Sequence, residues 1–350
     1  YSRIYKKAYK YQYVYIQMTK RFLAVSGGGD RGIVILGMLE ELYKLKGKEA
    51  VCWDEMAGIS VGGFMVAYLS QTTPETFPIK VSQLKNCLLK DGFEIKDPWV
   101  WGGQVINFIN AFMKHDSIYS NQKMKDLLDP WFNEKDSRLP FHVGAYNKTL
   151  SRYETMSSTD KSINIKTACL ASAAVPVVLP EVQIGKYKYQ DGGMRHIIPV
   201  EEIKNWLNRT CGKRHVDVLV CFPIHKPHLF TEMTTPVFNY PLVDEATRMV
   251  SDLMLEQLQN DVVDISKICN IEVESIKKSS CGRFEMGDVT LQIVSPSEGH
   301  YTSMMKMTQE SNMELFKSGV SVVKDFILSL IHISEPTRLR RISYAVFCLK

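Results

Sequence analysis

Residues 22–68 contain two consecutive strand-turn-helix units. In each unit a short apolar run leads into a glycine-rich turn, and an apolar segment with helical spacing follows. The turns are Ser-Gly-Gly-Gly-Asp-Arg-Gly at residues 26–32 and Gly-Ile-Ser-Val-Gly at residues 58–62. Glycine tolerates the tight turns that a strand needs when it passes directly into a helix. This arrangement favours an α/β fold.

The second turn has the pattern Gly58-x-Ser60-x-Gly62, which is typical of a nucleophile elbow. In such a turn, small residues on both sides of the serine let the backbone adopt a strained conformation that exposes the hydroxyl group. The strand before it and the helix after it are the context that this motif requires. The alternative is that Ser60 only caps the helix that follows.

The first turn places Gly27, Gly28 and Gly29 before a helix. Their amides, beside the positive end of a helix dipole, offer a site for an anion, such as the oxyanion formed when a serine attacks a carbonyl group. Two alternatives are a purely structural turn and, with Gly32, a dinucleotide-binding fingerprint. The fingerprint predicts an acidic residue at the end of the second strand, where this chain has Ser60.

Two more blocks follow in the chain, Ala-Ser-Ala-Ala-Val-Pro at residues 171–176 and Asp191-Gly192-Gly193. Together, the four blocks resemble in order and spacing those of patatin-like phospholipases across residues 22–200. The resemblance implies an α/β, three-layer patatin-like fold with a mostly parallel central sheet covered by helices on both faces. The alternation of strands and helices along the chain favours the same architecture.

The resemblance also implies a serine lipid acyl hydrolase that cleaves fatty-acyl esters of phospholipids or related glycerolipids. Ser60 would be the nucleophile and Asp191 the general base of a Ser-Asp dyad, with an acyl-enzyme intermediate. A free aspartate, with a pKa of about 3.9, is a poor base, so we expect the site to raise its proton affinity. By itself, Asp191 could be an ordinary turn residue before glycines.

The resemblance also implies supporting roles for other residues. Arg31 would assist the oxyanion hole, although a solvated arginine in the first helical turn is the alternative. The oxyanion hole would comprise Gly27, Gly28, Gly29 and Arg31, with turn support from Gly32, Gly58, Gly62, Gly192 and Gly193. We expect no cofactor and no metal.

Other mechanisms and functions stay open at this point. A conventional triad would need a histidine after the serine, for which His196 and His300 are candidates. On the same fold, an acyltransferase or a non-catalytic lipid-binding protein is an alternative to the hydrolase.

The composition limits the partners. The 350 residues are 45% hydrophobic and 23% charged, which is typical of a soluble globular protein. The apolar runs are too short to span a bilayer and no secretory signal is visible, so we expect a cytoplasmic protein with transient peripheral contact to membranes or micelles.

Residues 1–17 carry +4 and residues 328–350 carry +3 of the net charge of +5, leaving −2 for residues 18–327. A nucleic-acid partner is therefore not expected.

The eight cysteines are scattered and include no C-x-x-C pair. Several, such as Cys169 and Cys221, lie in apolar runs, where a buried structural thiol is expected. The pattern suggests neither a disulfide framework nor a zinc site.

Both ends resemble translated non-coding sequence. Residues 1–17 precede the first methionine, Met18, and residues 328–350 resemble a translated sequencing adapter. For residues 328–350 the alternative is an amphipathic basic tail that contacts membranes. We expect residues 18–327 to form the lipase domain, with its motifs in residues 22–200. The sequence does not indicate an oligomeric state.

Between the motifs, residues 99–113 gather two tryptophans and several aliphatic residues. An amphipathic helix packed on the core is one interpretation, and an acyl-chain wall or interfacial lid is the other. Further helices are predicted at 122–132, 165–174, 200–207, 242–268 and 303–327, and further strands at 141–146, 153–156, 182–189 (a pair with a turn at Gly185), 216–222 and 289–294.

Overall fold

The computed structural model describes residues 19–90, 117, 120–133, 136–225, 241–278, 281–296 and 309–347. The segment 99–113 and His300 lie outside the described residues.

The strands are β1 Lys20–Val25, β2 Glu55–Ile59, β3 Phe141–Asn147, β4 Arg152–Ser157, β5 Val182–Ile184, β6 Tyr187–Asp191, β7 Arg214–Leu219, β8 Cys281–Met286 and β9 Val289–Val294. The helices are α1 Gly32–Lys46, α2 Val61–Leu69, α3 Phe77–Lys90, α4 Gln122–Trp131, α5 Ile165–Ser172, α6 Val200–Arg209, α7 Pro241–Cys269, α8 Val273–Lys277 and α9 Gln309–Phe347.

In the described part of the chain, nine strands form one sheet in the order β5-β6-β3-β2-β1-β7-β9-β8, with β4 also paired to β3. The five strands from β3 to β9 along this order run parallel to one another. The antiparallel partners β4, β5, β6 and β8 lie at the two ends of the sheet. The predicted mostly parallel sheet is confirmed.

Helices cover both faces of this sheet. The β1-α1-β2 and β7-α7-β9 connections advance in opposite directions along the strand order, so right-handed crossovers place α1 and α7 on opposite faces. β1 lies between them, and its residues from Phe22 to Val25 are fully buried. On the α6 and α7 side, the Phe22 ring packs against Trp206 of α6 at 5.2 Å between centroids. A strand covered on both faces explains the continuous apolar run in the sequence.

The first and last helices cross with their backbones in close approach. A Cβ atom added at Gly37 of α1 would lie 2.2 Å from the carbonyl oxygen of Phe316, and one added at Gly319 of α9 would lie 2.0 Å from that of Val34. Neither position has room for a side chain. The two glycines therefore let α9 pack directly on α1.

Several predicted boundaries differ from the structure. The sequence that leads into the second glycine turn, residues 51–57, forms a strand only from Glu55 onwards, because residues 48–51 form a 3-10 turn. The closing helix expected at 303–327 runs from Gln309 to Phe347. Strand β8 was not predicted, because it is a half-exposed edge strand with a weak apolar pattern.

No helix in the described ranges combines the length and apolar character needed to cross a bilayer.

Candidate active site

Strand β3 brings the second and fourth sequence blocks together. Ile59, the last residue of β2, pairs with Gly144 of β3 in parallel register. The next residue of β3, Ala145, pairs with Asp191, the last residue of β6, in antiparallel register. The ends of β2 and β6 therefore meet on adjacent residues of β3. Because Ser60 follows Ile59 directly, it lies beside Asp191.

Ser60 occupies a strained turn. Its φ angle is 54°, which a non-glycine residue rarely adopts. Around it the backbone is too close for side chains, since a Cβ atom at Gly58 would lie 2.2 Å from the Gly62 carbonyl oxygen and one at Gly62 would lie 2.5 Å from that of Val25. The Ser60 side chain makes no capping hydrogen bond to α2. The interpretation of Ser60 as a simple helix cap is therefore wrong.

The third sequence block supplies a bridge at this turn. The Ser60 amide donates to Oγ of Ser172 at 2.9 Å, and the Ser172 hydroxyl donates to the Gly144 carbonyl oxygen at 2.6 Å. Ser172 is fully buried at the end of α5. Sequence reasoning included this serine in a motif block but gave it no role.

Asp191 is fully buried, with 0% of its surface exposed. Its Oδ1 accepts the Gly193 amide at 2.7 Å. Burial raises the pKa of Asp191 to about 7, against the Gly193 amide and the Ser60 hydroxyl, which lower it. Among the described residues, Oδ2 has no hydrogen-bond partner of standard geometry. The Ser60 hydroxyl is nonetheless close enough to the Asp191 carboxylate to lower its pKa.

The glycine loop adjoins Ser60, because a Cβ atom at Gly27 would lie 3.3 Å from that of Ser60. However, the Gly27 amide donates to the Ile197 carbonyl oxygen at 2.9 Å. Gly27 therefore cannot donate to an oxyanion, which corrects its expected role. The Gly28 and Gly29 amides have no acceptor among the described residues, and both residues have positive φ angles, 156° and 57°.

Cys221 lies directly under the glycine loop. Its thiol donates to the Gly27 carbonyl oxygen at 3.0 Å, and its amide donates to Oγ of Ser26 at 3.1 Å. A Cβ atom at Gly28 would lie 2.1 Å from its sulfur atom. Burial raises the pKa of the Cys221 thiol to about 11, so it stays protonated at neutral pH. This thiol supports the loop as a packing residue.

Arg31 also packs beneath the loop. It is only 2% exposed, and its guanidinium group lies 5.5 Å from the centroid of the Phe222 ring. Phe222 also borders Gly28, since a Cβ atom there would lie 3.2 Å from the ring. The alternative of a solvated arginine is therefore wrong.

Of the two candidates for a triad histidine, His196 lies within the described residues, and its ring is engaged by other residues. Nδ1 of His196 pairs with Asp261 at 2.6 Å, and its ring packs edge-on against Tyr153. The dinucleotide alternative also lacks its acidic residue, because β2 ends directly in Ser60. Within the described ranges, no three His, Cys, Asp or Glu side chains are grouped to bind a metal ion.

Residues 23–204 match the model of the patatin-like phospholipase family. Because this match covers just over half of the 350 residues, the chain belongs to the patatin-like phospholipase family. The membership supports lipid hydrolysis as the class of activity. A search of curated proteins gave no significant match.

Several solved structures resemble the chain at low identity. VipD from Legionella pneumophila matches with a TM-score of 0.41 and 12% identity over 89% of this chain and 67% of its own. Human GIVD cytosolic phospholipase A2, in complex with methyl gamma-linolenyl fluorophosphonate, matches with a TM-score of 0.41 and 10% identity over 90% and 58%. ExoU of Pseudomonas aeruginosa, in its complex with SpcU, matches with a TM-score of 0.32 and 15% identity over 71% and 57%. The chain thus spans between 57% and 67% of the length of these proteins.

Proposed function

We propose that this protein hydrolyses fatty-acyl esters of phospholipids or related glycerolipids with a Ser60-Asp191 dyad. The observation that carries the proposal is a serine in a strained turn beside a buried carboxylate whose pKa is about 7. A carboxylate with this proton affinity can act as a base near neutral pH, which an ordinary aspartate does poorly. Family membership supplies the lipid class of the substrate.

In the first half of the reaction, Oγ of Ser60 attacks the ester carbonyl carbon while Asp191 takes the hydroxyl proton. The carbonyl oxygen becomes an oxyanion. When the tetrahedral intermediate collapses, the bond to the alcohol oxygen breaks, and Asp191 returns the proton to that oxygen. The lysolipid or alcohol leaves, and the acyl group stays on Ser60 as an ester.

In the second half, a water oxygen attacks the acyl-enzyme carbonyl carbon and Asp191 takes one water proton. The second tetrahedral intermediate collapses with loss of Oγ of Ser60, which regains its proton from Asp191. The fatty acid leaves and the starting state is restored. Asp191 thus serves as base and acid once in each half-reaction.

The oxyanion is held by the amides of Gly28 and Gly29. These amides lack acceptors within the described part of the chain, and Gly27 of the same loop lies against Ser60. Fixed donors that point to the developing charge stabilise the transition state more than the ground state. The first turn of α2, which begins directly after Ser60, adds the positive end of its dipole.

The first half of α7 contacts the lipid surface. Met249 and Leu253 of this helix are 59% and 45% exposed and lie four residues apart on one side of it. The next residue, Met254, borders Gly193, since a Cβ atom there would lie 3.2 Å from Cε of Met254. Exposed apolar side chains close to the dyad are suited to peripheral contact with lipid aggregates.

The experiment is fluorophosphonate labelling followed by location of the adduct by mass spectrometry. Oγ of Ser60 displaces fluoride from the probe, so we expect one adduct on Ser60. Ser60→Ala should abolish it and Asp191→Asn should reduce the labelling rate about 100-fold or more. Release of free fatty acid from phospholipid vesicles should fall in parallel.

The matched control is Ser266→Ala. Ser266 is also buried, but its hydroxyl donates only to Val263 of its own helix, at 2.6 Å. This variant should be labelled as fast as the wild type. An adduct on another residue, or a folded wild type that neither reacts with the probe nor releases fatty acid, would contradict the proposal.

A further inference from the structure

A second buried carboxylate, outside the dyad, holds the chain just after Asp191. Asp261 of α7 is 0% exposed. Its Oδ2 accepts the amides of Ile197 and Ile198 at 2.5 and 2.8 Å, and its Oδ1 pairs with Nδ1 of His196 at 2.6 Å. Three consecutive residues are therefore bound to one side chain.

The same segment binds the glycine loop. The Ile197 carbonyl group accepts the Gly27 amide at 2.9 Å. This carbonyl and the Ile198 amide belong to one planar peptide group. Asp261 accepts a hydrogen bond at one end of that peptide group, and Gly27 donates one at the other. A single rigid unit thus connects the Asp261 carboxylate to the loop beside Ser60.

This connection has an electrostatic consequence. A carboxylate that accepts from the amide of a peptide group polarises that group, which makes its carbonyl oxygen a stronger acceptor. The bond to the Gly27 amide is therefore stronger while Asp261 is charged. It fixes the direction in which the following amides of Gly28 and Gly29 point.

His196 compensates the buried charge. Burial raises the pKa of the Asp261 carboxyl, whereas the hydrogen bond and charge of His196 and the two backbone amides lower it and so offset part of that cost. Burial lowers the pKa of His196, but the hydrogen bond and charge of Asp261 raise it by more, with further help from Glu202 and Glu201. The Tyr153 ring holds the imidazole edge-on at 4.8 Å between centroids.

We propose that Asp261 is a positioning residue for the oxyanion loop, acting through the Ile197–Ile198 peptide group, and that pairing with His196 favours the charged form of its carboxylate. This inference rests on the proposed hydrolase function, because it assigns the loop a role in the reaction. The hydrogen bonds of the Asp261 carboxylate go to His196, Ile197 and Ile198 and not to Ser60 or Asp191. Its effect should appear in the chemical step rather than in substrate binding, because the loop stabilises charge that forms only in the transition state.

The test compares variants of the full chain with a control on the same helix. Asp261→Ala removes all three bonds, whereas Asp261→Asn keeps an oxygen that can accept the two amides but removes the charge. His196→Gln removes the compensating cation and the ring contact with Tyr153 but leaves the two amide bonds to Asp261 in place. The control is Asp264→Asn, because Asp264 is more exposed and pairs with Lys267 at 3.2 Å.

Two measurements are made on each variant. We expect Asp261→Ala to lower kcat about 10- to 100-fold, less than the loss of an oxyanion donor itself, with KM changed less than about threefold. Asp261→Asn should lower kcat about three- to tenfold and His196→Gln less, while Asp264→Asn should match the wild type. Hydrogen exchange of the peptide that spans residues 26–32 should become faster in the same order.

Hydrogen exchange separates the two proposals because it needs no turnover. A wild type without activity would refute the hydrolase, yet the exchange of the Gly27 amide would still test the connection to Asp261. Exchange in Asp261→Ala equal to that of Asp264→Asn would overturn the inference. If Asp261→Ala does not fold, Asp261→Asn decides, and a kcat and exchange rate equal to those of Asp264→Asn would overturn it.

Discussion

The amide of Ser60 donates a 2.9 Å hydrogen bond to the hydroxyl of Ser172, a residue that is distant in the sequence. At Ser60 the chain has left the β2 ladder and has not yet entered α2, so its amide has no partner in either element. The Ser172 side chain supplies that partner, and its own hydroxyl donates a hydrogen bond to the Gly144 carbonyl oxygen. The strained turn is therefore tied to β3 by one side chain.

Ser172→Ala should destabilise the fold and slow the nucleophile. It leaves the Ser60 amide and the Gly144 carbonyl oxygen buried without a partner, at a cost of about 1–3 kcal/mol in the free energy of unfolding. Urea denaturation measures this cost, and the labelling rate of Ser60 should fall with it. Ser266→Ala, which breaks a bond only within its own helix, serves as control. Equal losses in both variants would argue against the bridge.

Gly28→Ala should disable the oxyanion loop. The new Cβ atom would lie 2.1 Å from the Cys221 sulfur atom, at a φ angle of 156°. We expect a loss of roughly 2–4 kcal/mol in stability and, since the loop must move, a labelling rate about 100-fold lower. The comparison is Gly185→Ala, also at positive φ but with no atom within 4 Å of the new Cβ. In that variant the left-handed backbone conformation should cost only about 1–2 kcal/mol of stability, and Ser60 should be labelled at the wild-type rate.

The rate of labelling should rise with pH up to about 7. The reactive form is the ionised carboxylate of Asp191, whose pKa burial raises to about 7. Below that value the reactive fraction falls about tenfold per pH unit. The midpoint belongs to the coupled Ser60-Asp191 pair. Labelling rates from pH 5 to 9 give the profile, and a rate that is constant between pH 5 and 7 would contradict the assignment of the base.

The same carboxylate should make stability depend on pH. Its pKa of about 7 in the folded state lies above the ordinary value of 3.8, so folding favours the protonated form. This contribution is fully present below about pH 4 and is lost as pH rises through 7. Asp191→Asn cannot ionise, so between pH 4.5 and 8 the wild type should lose roughly 3 kcal/mol relative to this variant. Urea denaturation at the two pH values measures the difference, and a constant difference would refute the raised pKa.

The double variant with Met249→Asp and Leu253→Asp should lose activity on vesicles but keep activity on a soluble short-chain ester. Charges at these exposed positions disfavour insertion into lipid, while the dyad is untouched. We expect vesicle hydrolysis to fall about tenfold. Ile79→Asp is the control, because Ile79 is equally exposed, at 61%, on α3. An equal loss on both substrates would instead indicate damage to the dyad.

The motifs and the elements around them could be predicted mostly from residues that are neighbours in the sequence. The glycine turns, the strand before each one and the helix after it depend on neighbouring residues, and the structure contains all of them, although the second strand begins only at Glu55. The proximity of Ser60 and Asp191 depends on the register of β3, which no spacing reveals. The family resemblance identified the pair before any geometry was known.

The contacts that support Ser60 and the glycine loop could not be predicted from the sequence, because they also join distant segments of the chain. Ser172 and Asp261 act over long chain separations, and a single serine or aspartate in a helix has no pattern that signals a distant partner. The hydrogen bond from the Gly27 amide to the Ile197 carbonyl oxygen could be assigned only from the structure. Arg31 is buried because it packs on Phe222, which follows β7 in a different part of the chain.

The crossing of Gly37 and Gly319 sets an order for assembly during synthesis. The segment that matches the family ends at residue 204, yet α1 packs on α9, and β1 needs β7 as a neighbour. A nascent chain that has emerged only as far as residue 204 lacks both partners and leaves apolar surface of α1 open to water. Helix α1 thus stays without its α9 cover until residue 319 has been translated, and incompletely covered apolar surface of this kind exposes a nascent chain to aggregation up to that point.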